Sequence, residues 1–135
     1  MKIHPQISKI KNKIIATRRD FHKHPELSFQ EKRTSKIVAD KLESFGIEVK
    51  RNIGKTGVVG ILNGNKHGPT IGLRADMDAL PIQETTNTPY KSINAGVMHA
   101  CGHDAHTAML LGAAEVLSSL KEKINGKVKF IFQPA

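Results

Sequence analysis

The chain has 135 residues and a formal charge of +9, from 21 Lys and Arg against 12 Asp and Glu, with 39% hydrophobic and 24% charged residues; this fits one domain with an ordinary core and excludes a disordered tail or a pair of domains. The single cysteine, Cys101, excludes an intrachain disulfide, and no apolar run reaches the 18 residues of a membrane span. The lysines are scattered, and five Phe, one Tyr and no Trp give no stacking platform, so the charge reads as a solvated surface rather than a nucleic-acid interface.

Met1 to Asp20 is interrupted by charge throughout, unlike a secretory leader, which places the protein in a reducing cytoplasm. Ile7, Ile10, Ile14 and Phe21 fall on one face of a first helix that ends near His24-Pro25, because the residue before proline is pushed out of helical geometry. Ser28-Phe-Gln-Glu31 matches an S-x-x-E capping box and predicts the start of a second helix with the apolar face Ile37, Val38, Leu42 and Phe45. Gly46 stands where a left-handed C-terminal cap favours a residue without Cβ.

Beyond Gly46 the period becomes two. Ile47 and Val49, then residues 56–62, predict two strands arranged as a hairpin, and Thr70 to Arg74 predicts a third. That third strand runs into Asp76 and Asp78, which can form part of a site at a strand's C-terminal end or merely cap a turn. Pro81 halts regular structure and residues 87–96 are turn-rich. An apolar helix is predicted from Asp104 through Leu120, closing near Asn125-Gly126. A last strand, Lys127 to Phe132, alternates Val128, Phe130 and Phe132. The order α-α-β-β-β-α-β, with a helical crossover between the last two strands, predicts a layered α/β domain with at least one parallel pair.

Residues 98–106, Met-His-Ala-Cys-Gly-His-Asp-Ala-His, hold the only cysteine and three of the seven histidines. Thiolate and neutral imidazole suit zinc and similar ions, and Gly102 between Cys101 and His103 permits a tight turn. Asp104 would lie at the cap or first turn of the following helix, where the helix dipole favours a carboxylate and where it can orient an imidazole. Spacing alone leaves three readings open: a metal-ligand pair, a Cys-His nucleophile, or a small buried cysteine beside turn histidines.

Five stretches in order carry a resemblance: residues 18–29 (RRDFHKHPELSF), 54–60 (GKTGVVG), 73–81 (LRADMDALP), 96–109 (GVMHACGHDAHTAM) and 130–135 (FIFQPA). Together they resemble the start of an M20-family metal-dependent amidohydrolase, in the branch of hippurate hydrolases, N-acyl-amino-acid and N-acetyl-diaminopimelate deacetylases and plant auxin-conjugate hydrolases. The resemblance implies two divalent ions, zinc or manganese, with Cys101 and His103 as ligands. Asp78 matches the aspartate of the wider family's His-x-Asp motif, which steadies a metal-binding imidazole, and Asp76 stands where that motif has its histidine. Asp76, Asp78, Asp104 and His106 are expected among the residues surrounding the ligands rather than as ligands. The implied chemistry is attack of a metal-activated water on the amide of a small N-acyl amino acid, with a glutamate as general base.

In the family, Phe-Gln-Pro-Ala is followed by Glu-Glu, the general base and a further ligand, whereas Ala135 is the last residue here. Residues 1–135 are therefore expected to be the N-terminal part of a layered, zinc-peptidase-like catalytic domain, a mixed sheet flanked by helices, without the dimerisation or lid domain. By themselves they are expected to be inactive. The last strand, ending at Phe132, is expected to lack neighbours. A homodimer is compatible with the complete enzyme. The alternative from another class is a non-catalytic metal-binding or interaction module.

Overall fold

The computed structural model describes residues 5–134. In chain order it contains α1 (Pro5–Lys23), α2 (Lys32–Ser44), β1 (Glu48–Ile53), β2 (Gly57–Asn63), β3 (Lys66–Asp76), α3 (His103–Ser119), a 3-10 turn (Lys121–Lys123) and β4 (Asn125–Gln133). The α/β expectation and the order of elements hold, and β3 begins four residues earlier than the Thr70 predicted from sequence.

The sheet has the order β1-β2-β4-β3. β1 and β2 form the predicted antiparallel hairpin. β4 runs antiparallel to β2 and parallel to β3, so α3 is the crossover between the parallel strands. The expectation that the last strand lacks neighbours is wrong. Val58 to Asn63 pair with one side of β4 and Thr70 to Asp76 with the other, which makes the most strongly alternating strand an interior one. The sheet's edges are instead β1 and β3, both largely exposed.

Val128, Phe130 and Phe132 point to one face, together with Val58, Leu62 and Ala75. They pack there against Val38 and Leu42 of α2 and Leu110, Leu111 and Ala114 of α3. Burying side chains of this size contributes roughly 1.5–3 kcal/mol each. Among the described residues no helix covers the opposite face, where Lys127 and Lys129 are exposed. α1 lies against α3. Of its predicted apolar face Phe21 is fully buried, whereas Ile7 is 44% exposed and lines, with Ile10 and Ile14, a groove beside α3.

The predicted capping box does not form. Ser28 turns its hydroxyl to Asp78 Oδ2 at 3.1 Å, and Glu31 is fully buried, accepting a hydrogen bond from the Thr56 hydroxyl. The first free amides of α2, those of Arg33 and Thr34, donate instead to the Glu26 carboxylate at 2.9 and 2.8 Å. The pattern S-x-x-E was satisfied by tertiary partners, which compete with local capping whenever both side chains face the interior. The predicted end of α2 is confirmed. Gly46 has φ +74°, its amide donates to Glu43 O and the Ile47 amide to Leu42 O, the paired bonds of a left-handed helix stop.

Residues 77–102 carry no helix or strand, yet they are pinned. Leu80 and Met98 exchange two backbone hydrogen bonds of 3.0 Å, which closes the loop at its base. The Ala79 amide donates to Glu26 O, the Ile93 amide to Lys23 O and the Asn94 side chain to Pro25 O. The loop is thereby fastened to the end of α1 and the turn after it, beside the C-terminal end of β3.

Candidate metal centre

The first turn of α3 starts from Gly102, which adopts φ +88° and has no side chain to cap the helix. His103 and His106, three residues apart, therefore share one face, and their rings lie 5.8 Å apart between centroids, tilted by 31°. Asp76, at the end of β3, faces them. One donor atom from each of Asp76, His103 and His106 lies within 4.8 Å of the other two. The edge strand of the sheet's one parallel pair has thus delivered a carboxylate to two imidazoles at its C-terminal end.

Asp78 sets the direction of His103. Its Oδ1 lies 2.8 Å from His103 Nδ1 and its backbone oxygen 3.1 Å from the same nitrogen, so Nδ1 carries the proton and donates. His103 Nε2 is left with its lone pair, 3.9 Å from Asp76 Oδ2. Asp76 is held in turn: Arg74 donates to Oδ1 at 2.6 Å and Thr107 donates to its backbone oxygen at 2.9 Å. Two imidazoles and a carboxylate, one ring fixed in its tautomer by a second carboxylate, form a donor set suited to a divalent ion. Cys101 is exposed and lies outside this three-residue group.

Asp104 faces away from the group. Its Oδ2 accepts from Arg18 Nε at 2.8 Å and lies 2.7 Å from His22 Nδ1, while Oδ1 accepts from the Ala105 amide at 2.9 Å. The imidazole that it orients belongs to α1. On its far side His22 Nε2 lies 3.2 Å from Glu84 Oε1, and Glu84 also accepts from the Ser92 amide at 2.7 Å and from the Thr86 hydroxyl. Burial raises the Glu84 pKa, but the hydrogen bonds from Ser92, Thr86 and His22 outweigh it and bring the group down to about 2. His22, Glu84 and Asp104 are all buried. Near them His99 is only 4% exposed and neither ring nitrogen has a partner among the described residues. Burial pushes its imidazole down to about 4, so it is neutral at pH 7.

Sequence reasoning missed Arg18, His22 and Glu84 as parts of this region, whereas His99 lies in the histidine-rich stretch 98–106 that it singled out. Arg18 and His22 stand four residues apart on α1 and share a face, a signal available from spacing. Glu84 sits in an irregular loop where no periodicity marks it.

Residues 72–135 match the model of peptidase family M20/M25/M40. Over 135 residues the chain is 52% identical to thermostable carboxypeptidase 2 of Saccharolobus solfataricus, covering 99% of this chain and 34% of that protein. It is also 52% identical to hippurate hydrolase of Campylobacter jejuni, covering 100% and 35% respectively. The crystal structure of the Bacillus subtilis YXEP protein, a dinuclear metal binding peptidase from the M20 family, superposes with a TM-score of 0.90 at 49% identity, over 95% of this chain and 36% of that one. The chain spans about a third of the length of the relatives it matches.

Proposed function

The chain belongs to peptidase family M20, and from that premise we propose that the protein hydrolyses the amide bond of small N-acyl amino acids at a divalent-metal centre. The observation that carries this reading is the convergence of Asp76, His103 and His106, with Asp78 fixing the His103 ring. His103 is common to the sequence reading and to this cluster, and we assign it as a ligand. Asp76 and His106 offer donors beside it, and Cys101 supplies the thiolate of the sequence reading. Divalent ions, zinc or manganese, would supply an acidified water and an electrophile for the amide carbonyl.

The chain's own residues have separable tasks. Asp78 keeps His103 in the tautomer that presents Nε2. Arg74 and Thr107 hold Asp76 at the strand end. The general base of the proposed reaction is a glutamate, as the family resemblance implies. We place the protein in the cytoplasm, acting on a small substrate rather than on nucleic acid. No helix among the described residues is long and apolar enough to cross a membrane.

The test is release of glycine from hippurate, and of free amino acids from N-acetyl amino acids, by a protein that carries these residues together with the general-base glutamate. Activity should disappear on chelation and return with manganese or zinc. Turnover that is indifferent to chelator, or a covalent acyl adduct on Cys101, would overturn the reading in favour of a nucleophilic cysteine.

A further inference from the structure

Beside the candidate centre, half-buried Arg18 and buried His22, Asp104 and Glu84 form one continuous chain of polar contacts drawn from α1, α3 and the 77–102 loop. Both ring nitrogens of His22 face carboxylate oxygens, Nδ1 toward Asp104 at 2.7 Å and Nε2 toward Glu84 at 3.2 Å. The chain touches none of the three converging donors. It ends on Asp104, which stands between His103 and His106 in the first turn of α3 and whose Oδ1 is bonded to that turn's own backbone at Ala105. At the other end Glu84 gathers Ser92 and Thr86 of the loop. Tyr90 of the same loop lies under the guanidinium groups of Arg18 and Arg19, 5.4 and 5.0 Å from its ring centroid.

Such a cluster is a poor way to gain stability. Removing several charges from water costs as much as their attraction returns, and apolar side chains of similar volume commonly do as well. Its distinguishing property is direction. Each bond fixes an orientation, and their sum ties the turn carrying His103 and His106 to a helix about eighty residues earlier in sequence. The helix start has no side-chain cap of its own to do this.

We propose that His22 and Glu84 are positioning residues for the divalent-ion centre, acting through Asp104 on the helix turn that presents His103 and His106. The proposal rests on the metal-centre reading above. Glu84 is the informative position because it is farthest from the donors and reaches them only through His22 and Asp104. Glutamine in its place keeps one acceptor oxygen, which can serve His22 and Thr86, but turns an NH2 toward the Ser92 amide.

The experiment titrates Co2+ into the metal-free full chain by calorimetry and records the visible absorption of the bound ion, alongside the melting temperature. Glu84→Ala is expected to weaken Co2+ binding about tenfold, the lower end of what loss of an outer partner costs a metal site, and to change the absorption bands. Glu84→Gln, which keeps an acceptor toward His22, should recover part of the affinity, and His22→Gln, which keeps a shorter polar link, provides a second variant if Glu84→Ala does not fold. Glu31→Ala serves as the comparison, since Glu31 is equally buried but belongs to α2 and bonds Thr56. Glu84→Ala and His22→Gln with native Co2+ affinity and spectrum despite a lowered melting temperature would overturn the proposal. So would an equal loss of affinity in Glu31→Ala. If the unmodified chain binds no Co2+, the metal-centre reading itself fails and this one with it, a result distinct from unchanged binding in the variants.

Discussion

At the start of α2 the free amides of Arg33 and Thr34 are taken up by one carboxylate, Glu26, from the turn just before the helix. At the start of α3, Gly102 offers no side chain, and the carboxylate in the first turn, Asp104, gives one oxygen to the adjacent Ala105 amide and the other to Arg18 and His22 of α1. The first arrangement completes a helix. The second fixes a helix relative to the rest of the molecule, and it does so at the turn whose other face carries His103 and His106. Two acidic residues at two helix starts thus obey the same preference for a helix N-terminus, yet one serves local stability and the other tertiary geometry.

The largest effect that would sharpen this contrast is expected from Asp104→Ala. It leaves His22 and Arg18 without their shared carboxylate, with His22 held in the interior, and breaking a buried pair by removing one partner costs about 3–5 kcal/mol. Urea unfolding should show that loss. A change below about 1 kcal/mol would mean that the cluster is solvated and relaxes freely, and the difference between the two helix starts would vanish.

Next comes the acid limb. Glu84 is held at about 2 in the folded chain against an ordinary value of 4.5, with burial working against its hydrogen bonds. The unfolded chain therefore takes up the proton first as pH falls. The stabilisation is full above about 4.5 and is lost as pH drops toward 2. Melting temperature should fall across that window, and less steeply in Glu84→Gln. Parallel curves for the two proteins would remove Glu84 from the account of acid sensitivity.

Asp78→Asn separates orientation from stability. Asp78 sits 2.8 Å from His103 Nδ1 and takes the Ser28 hydroxyl on its other oxygen. Replacing the charge should weaken metal binding by about 10- to 100-fold, with a small change in melting temperature. Unweakened metal binding with a large loss of stability would assign Asp78 to the fold, as the Glu26 of the other region, rather than to the centre.

What the sequence made legible follows the same division. Periods of two and near four located every helix and strand, and Gly46 marked the end of α2, because alternation and capping act over a few neighbouring residues. The placement of β4 was not legible. Its alternation shows that one face is buried but says nothing of how many strands flank it, and pairing on both sides depends on β2 and β3 coming together from far along the chain. Ser28 and Glu31 misled for a related reason: the motif describes a local option, while Asp78 and Thr56 offered partners that the local pattern cannot see. In the candidate centre, the density of Cys and His in 98–106 and the acidic strand end at Asp76 and Asp78 marked residues from which the structure brings Asp76, His103 and His106 together. Glu84 gave no signal, since its partners come from α1 and from turns of its own loop.

The smallest effect tests the local half of the contrast. Glu26→Gln keeps the length and the shape of the side chain but leaves one acceptor oxygen where two amides, Arg33 and Thr34, had each found one. The side-chain NH2 would then meet a second N–H, and the negative charge that favours a helix start is gone. Loss of a helix cap typically costs about 0.5–2 kcal/mol, so urea unfolding should shift by that amount with the helical circular dichroism of the folded chain nearly intact. Metal affinity should stay at the native level, because Glu26 touches the 77–102 loop through its backbone oxygen, to the Ala79 amide, and that bond survives the substitution. If Co2+ binding falls together with stability, the start of α2 communicates with the centre after all. The two helix starts would then differ in degree and not in kind.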